Sequence, residues 1–171
     1  MLFRSELVSA EACRPADTQR NGISIGEAAG FAILEREPAA QTKGQLLGFG
    51  ESSDAYHMST PHPEGLGAVR AMQGALKRAG LATCDIDYIN LHGTATPSND
   101  RSEDRAITTL FGSTTPCSST KGWTGHTLGA SGITEAIVAM QCIEHSLMPT
   151  SLNTRQQIGR ASCRERVFRA V

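Results

Sequence analysis

Two stretches decide how this chain reads: Tyr88-Ile89-Asn90-Leu91-His92-Gly93-Thr94-Ala95-Thr96-Pro97 and Ser119-Thr120-Lys121-Gly122-Trp123-Thr124-Gly125-His126-Thr127-Leu128-Gly129-Ala130-Ser131-Gly132. In each, a short strand-like run ends and an imidazole follows among small residues. Small residues let a ligand approach the backbone closely. A neutral imidazole can donate one hydrogen bond toward developing negative charge. Two such donors aimed at one carbonyl oxygen would make an oxyanion or enolate site.

Working outward, residues 86–91 read as a strand running into His92, and residues 100–110 as a helix ending near Gly112. Residues 66–79 give the clearest helix, with Val69, Met72, Leu76 and Ala79 on one apolar face and Gly80 as its stop. Residues 118–122 read as a loop. Residues 125–145 read as a long helix, apolar on several sides and so expected to be buried, with Pro149 beyond it. Upstream, residues 30–35 suggest a buried strand, residues 45–50 a second one weakened by Gly48 and Gly50, and residues 52–65 a loop. Alternating strands and helices argue an α/β fold.

Composition narrows the function classes. The 171 residues suffice for one domain with a core. A formal net charge of -1 gives no footprint for nucleic acid or a membrane surface. No apolar run approaches the ~20 residues of a membrane helix, and residues 1–6, with Arg4 and Glu6, are not expected to act as a signal peptide. Five cysteines without a Cys-x-x-Cys pair favour a reducing, cytoplasmic setting over a disulfide framework or zinc ribbon.

Four stretches in order carry a resemblance: 20–30, 52–58 and the two histidine motifs. From about Cys13 to about Thr154 the chain resembles the β-ketoacyl-acyl-carrier-protein synthases, especially the bacterial elongating type. The resemblance implies a layered αβαβα, thiolase-like fold, present here mainly as its C-terminal half. Residues 6–36 would end the N-terminal half and residues 37–157 would form a truncated C-terminal domain. The implied activity is decarboxylative Claisen condensation of malonyl-carrier with an acyl-cysteine in fatty acid biosynthesis. The implied partners are acyl carrier protein and, for the full-length enzyme, a second copy. No cofactor or metal is implied, since substrates ride on the carrier's phosphopantetheine.

Residue by residue, the resemblance makes His92 and His126 the enolate donors and Lys121 a supporting lysine of the same site. It makes Asp100 and Glu103, one helical turn apart, the acidic supporting positions, with Lys121 expected to pair with one of them. Such a lysine near both imidazoles would depress their pKa values. Thr94 and Thr96 would hold the pantetheine arm; read without the resemblance, they make turn bonds to backbone. Asn90 and Glu135 match positions that bind a structural monovalent cation in some relatives, while a plain salt bridge by Glu135 is equally in keeping. Gly125, Gly129 and Gly132 suggest close helix packing or an anion site. Cys117-Ser118-Ser119 looks superficially like the family's nucleophile motif but sits just before Lys121, so Cys117 is read as a small buried hydrophobe. The half carrying the nucleophile is expected to be absent, and this chain alone to be inactive.

Three rivals share parts of this reading: a polyketide ketosynthase domain, a non-catalytic chain-length-factor-like subunit, and a stand-alone hydrolase using Cys117. Retention of the histidine-lysine set counts against the second. Finally, Leu2-Phe3-Arg4-Ser5 and residues 158–167 match translations of the two strands of a common sequencing adapter. Residues 1–5 and 158–171 are therefore expected to be non-native, which resequencing of the locus would check.

Overall fold

The computed structural model describes residues 7–37 and 40–159. Its ordered centre is a βαβ unit: strand β1 (Ile89–Asn90), helix α2 (Pro97–Phe111) and strand β2 (Cys117–Ser118). β1 and β2 pair in parallel, Ile89 opposite Cys117 and Asn90 opposite Ser118. The Leu91 amide extends the ladder to the Ser118 carbonyl at 2.8 Å. A parallel pair needs a crossover, and α2 supplies it. Leu91, Ile107 and Cys117 are buried together, with Met72, Ile89 and Phe111 packed around them.

Helix α1 (Leu66–Ala79) has the expected bounds and ends on Gly80 at φ 69°. It packs against α2. α2 begins earlier than the apolar pattern indicates, because Pro97 at its first turn needs no intrahelical partner for its nitrogen. The region expected to be a loop at 118–122 instead continues from β2 into a short helix, α3 (Lys121–Thr124).

The long helix starts only at Ser131, as α4 (Ser131–His145), after a 3-10 turn over Leu128–Ala130. Positive φ at Gly125 (68°) and Leu128 (51°) breaks the helical ladder before that point. Nor is α4 buried on several sides: Ile143 is 70% exposed. Residues 30–35 do not form a buried strand. Gly30 lies on Ile133 and Ile137 of α4, but Phe31 is 95% and Ile33 90% exposed, with no strand paired to them among the described residues. Residues 45–50 likewise lie unpaired, passing so close to α1 that a Cβ at Gly50 would overlap the Ala71 carbonyl. A parallel strand needs neighbours on its edges and cover on both faces, and the described residues supply one face only.

The N-terminal stretch threads through this framework. Ile25 bridges His126 in parallel, and Asp17 bridges Gln157. The Asp17 carboxylate accepts the amides of Gln19, Arg155 and Gln156, at 2.6 to 2.9 Å, which ties the two ends of the described chain together. The Ile158 amide donates to the Ala16 carbonyl. The expectation of non-native ends otherwise falls almost wholly outside the described residues.

Candidate active site

β1 and β2 end side by side, so the residues following them share one end of the unit. His92 follows β1 directly. Gly93 turns the chain at φ 43°, where its missing Cβ avoids Ser119. Glu103, nearly two turns into α2, accepts the His92 amide at 2.7 Å and the Gly93 amide at 2.8 Å. One carboxylate thereby satisfies two turn donors and fixes the direction of the His92 side chain. Desolvation by burial pushes the Glu103 carboxyl up to about 7, against the pull of those two amides.

His126 enters from the other side. Its amide donates to the Ser24 carbonyl at 2.6 Å and its carbonyl accepts the Gly26 amide at 3.0 Å. The two imidazoles meet edge to face, ring centroids 5.2 Å apart and planes at 88°. Thus the pair that the sequence places 34 positions apart (126 minus 92) becomes one site.

Lys121 is the third member. It is 1% exposed, and its ammonium pairs with Glu135 of α4 and lies 3.3 Å from His92 Nδ1. The lysine thus pairs neither with Asp100 nor with Glu103, contrary to expectation. Glu103 is engaged with the turn amides, whereas α4 brings Glu135 up to the buried ammonium. The Glu135 carboxylate pairs with Lys121, the plain salt bridge that the sequence left open for it. The Asn90 side-chain amide is buried with no hydrogen-bond partner.

Protonation follows from these contacts. An ammonium can only donate, so His92 Nδ1 accepts and its proton sits on Nε2. The Leu128 amide likewise donates to His126 Nδ1 at 3.1 Å, giving the same tautomer there. Desolvation first, then the Lys121 charge and the neighbouring imidazole, take His92 down to about 4. Desolvation and Lys121 also lower His126. At neutral pH the site holds two uncharged imidazoles, each with an Nε2–H to give.

The remaining residues surround this centre. Asp100 is buried and accepts the amides of Ala16 (2.8 Å) and Ala95 (3.1 Å), fastening the 93–97 turn to the N-terminal stretch. Burial raises its pKa against those bonds and against Arg20. Thr94 and Thr96, 6% and 7% exposed, have hydroxyls 2.9 Å apart. Their mutual bond uses one hydroxyl proton and leaves the other. Cys117, 1% exposed, belongs to the apolar core rather than to the imidazole pair. Gly129 and Gly132 have nothing packed on them, so close helix packing there is not seen among the described residues. Sequence reading passed over Ser131, which reaches His126 Nδ1, and Thr127, which reaches Ser131. Their hydroxyls one and five positions after the histidine are a weak signal that only the turn before α4 makes meaningful.

The chain is similar to known proteins. Residues 43–155 match the family described as the β-ketoacyl synthase C-terminal domain. The chain is 44% identical to a mitochondrial 3-oxoacyl-[acyl-carrier-protein] synthase of Arabidopsis thaliana, over 85% of the chain and 34% of that protein. It is 43% identical to 3-oxoacyl-[acyl-carrier-protein] synthase 2 of Staphylococcus aureus, over 81% of the chain and 37% of that protein. Among solved structures, it aligns at a TM-score of 0.78 and 44% identity with a complex of a ketosynthase and its chain length factor from Xenorhabdus doucetiae, covering 92% of the chain and 40% of the matched one. The chain therefore spans about a third of the length of these curated relatives. Its fold is the ketosynthase, thiolase-like α/β fold, as a partial unit.

Proposed function

The chain belongs to the β-ketoacyl synthase family, and from that premise we propose that it forms the enolate-stabilising half of a 3-oxoacyl-[acyl-carrier-protein] synthase. The observation that carries the reading is the pair of neutral imidazoles, edge to face at 5.2 Å, each with Nδ1 occupied by a donor. In the first step the bond between the malonyl carboxylate and Cα breaks and carbon dioxide leaves. The electron pair moves onto the thioester oxygen, where the Nε2–H groups of His92 and His126 hold it. The enolate carbon then attacks an acyl thioester on a cysteine outside residues 7–159, and the thiolate leaves. Lys121 orders His92, and burial together with the Lys121 charge keeps both imidazoles uncharged. Donors preorganised around developing charge are worth more than the same donors in water.

In this reading Thr94 and Thr96 give their remaining hydroxyl proton to the pantetheine arm, and no other cofactor takes part. Acyl carrier protein, named in the relatives' own activity, is the partner; the full-length enzyme pairs with a second copy. Cys13, Cys84, Cys117 and Cys142 are in no disulfide, which supports a reducing compartment, the cytoplasm. No helix among the described residues is long and apolar enough to cross a membrane. The matched ketosynthase–chain length factor complex supports one variant, the same condensation in polyketide assembly.

The test is malonyl decarboxylation by the full-length protein. His92→Ala and His126→Ala are each expected to lower it about 100- to 1000-fold, while acyl loading of the cysteine persists. Near-normal decarboxylation in either variant would remove the enolate-site assignment.

A further inference from the structure

His126 Nδ1 has two donors within reach. The Leu128 amide lies at 3.1 Å, and Ser131 Oγ, on the first residue of α4, also lies at 3.1 Å. An amide can only donate, so Nδ1 is an acceptor, and the Ser131 hydroxyl can bond to it only as a donor. Thr127 Oγ1 lies 3.2 Å from Ser131 Oγ. With the Ser131 proton committed to the imidazole, Thr127 donates to Ser131. Both hydroxyl residues are 7% exposed. The relay from Thr127 through Ser131 to His126 is sheltered from water, where successive hydrogen bonds polarise one another.

The backbone is bent to fit. Leu128 holds φ 51°, a left-handed conformation that a leucine rarely adopts. An observed outlier of this kind points toward a functional demand on the turn. Here the turn brings both the Leu128 amide and Ser131 onto one ring nitrogen.

We propose that Ser131, backed by Thr127, is a positioning residue that fixes His126 as its Nε2–H tautomer and keeps a proton off Nδ1. The same tautomer is thus enforced in two ways: by an ammonium on His92 and by a hydroxyl relay on His126. The relay has an opponent. The charged groups acting on His126 are Lys121, which disfavours a second proton, and Glu135, which favours it; the His92 ring lies against it edge to face. Two donors on Nδ1 weigh against Glu135. The inference rests on the proposed function only for its catalytic consequence.

The experiment uses the full-length protein labelled with 15N-histidine, with His126 assigned from the His126→Ala spectrum. The wild type is expected to show the Nε2–H tautomer and a titration midpoint below 6.5. Ser131→Ala is expected to raise that midpoint by roughly half to one pH unit. Thr127→Val, which removes only the outer hydroxyl, is expected to raise it by less, and Ser131→Thr to restore it. An Nδ1–H tautomer in the wild type, or an unchanged midpoint in both Ser131→Ala and Thr127→Val, overturns the proposal. The acid limb of malonyl decarboxylation is read in parallel. A limb that moves with the midpoint supports both readings. A midpoint that moves while the limb stays sustains the positioning role and removes His126 from the enolate site.

Discussion

At the residue scale, the site depends on which groups stay uncharged. Removing the buried cation in Lys121→Met is expected to raise the His92 and His126 pKa values part of the way back, since burial is the larger cause of both shifts, so the acid limb of decarboxylation moves to higher pH. A pH–rate profile of the full-length enzyme checks this, and a parallel thermal midpoint separates it from lost fold. Stability carries two opposed signatures. His92 binds a proton less readily folded than unfolded, so its contribution is present above 6.5 and is lost as pH falls toward about 4. Glu103, raised to about 7 from 4.5, works oppositely: its contribution is lost as pH rises through that window. Glu103→Gln deletes the second signature and leaves one turn amide without its acceptor. It is expected to lose about 1–3 kcal/mol at neutral pH and to show a thermal midpoint that falls steadily on acidification below 6.5. A midpoint rising on acidification would refute this.

At the element scale, the turn after β1 sets the site, and Gly93 sets the turn. Gly93→Ala places a Cβ against the Ser119 side chain at φ 43°. A cost of about 2–3 kcal/mol is expected from overlap and backbone strain together, measured by denaturant unfolding of the full-length protein. A change below a few tenths would mean the turn is soft. Helix α1 was legible because Val69, Met72, Leu76 and Ala79 repeat on one face and a left-handed glycine ends it. The start of α4 was not. The apolar run suggests a helix reaching back through residues 125–130, but Gly125 and Gly129 favour it weakly, and pairing of His126 with Ile25 and the contacts on its ring take precedence.

At the scale of the whole molecule, the chain leaves apolar surface uncovered. Phe31, Ile33, Leu34, Leu46 and Phe49 are each more than half exposed, lying along two extended, unpaired stretches. The 171-residue chain expressed alone is therefore expected to bind ANS and to self-associate on size-exclusion chromatography. It is also expected to catalyse no condensation, because Cys117 and Cys13 are buried, 1% and 2% exposed, and burial holds the Cys13 thiol above its ordinary pKa. Measurable condensation by this chain would reopen Cys117 as a nucleophile.

The order of the motifs, the helix of residues 66–79, the α/β class and the identity of the two imidazoles were determined by sequence. Each depends on spacing along the chain and on side-chain chemistry, which are local. Tertiary structure decided the partners. It gave Lys121 to Glu135 rather than to Asp100 or Glu103, turned Glu103 toward two turn amides, and set Ser131 on His126 with Thr127 behind it. A charged or hydroxyl group pairs with whatever the packing of separate elements brings within about 3 Å, and no periodicity along the chain encodes that distance.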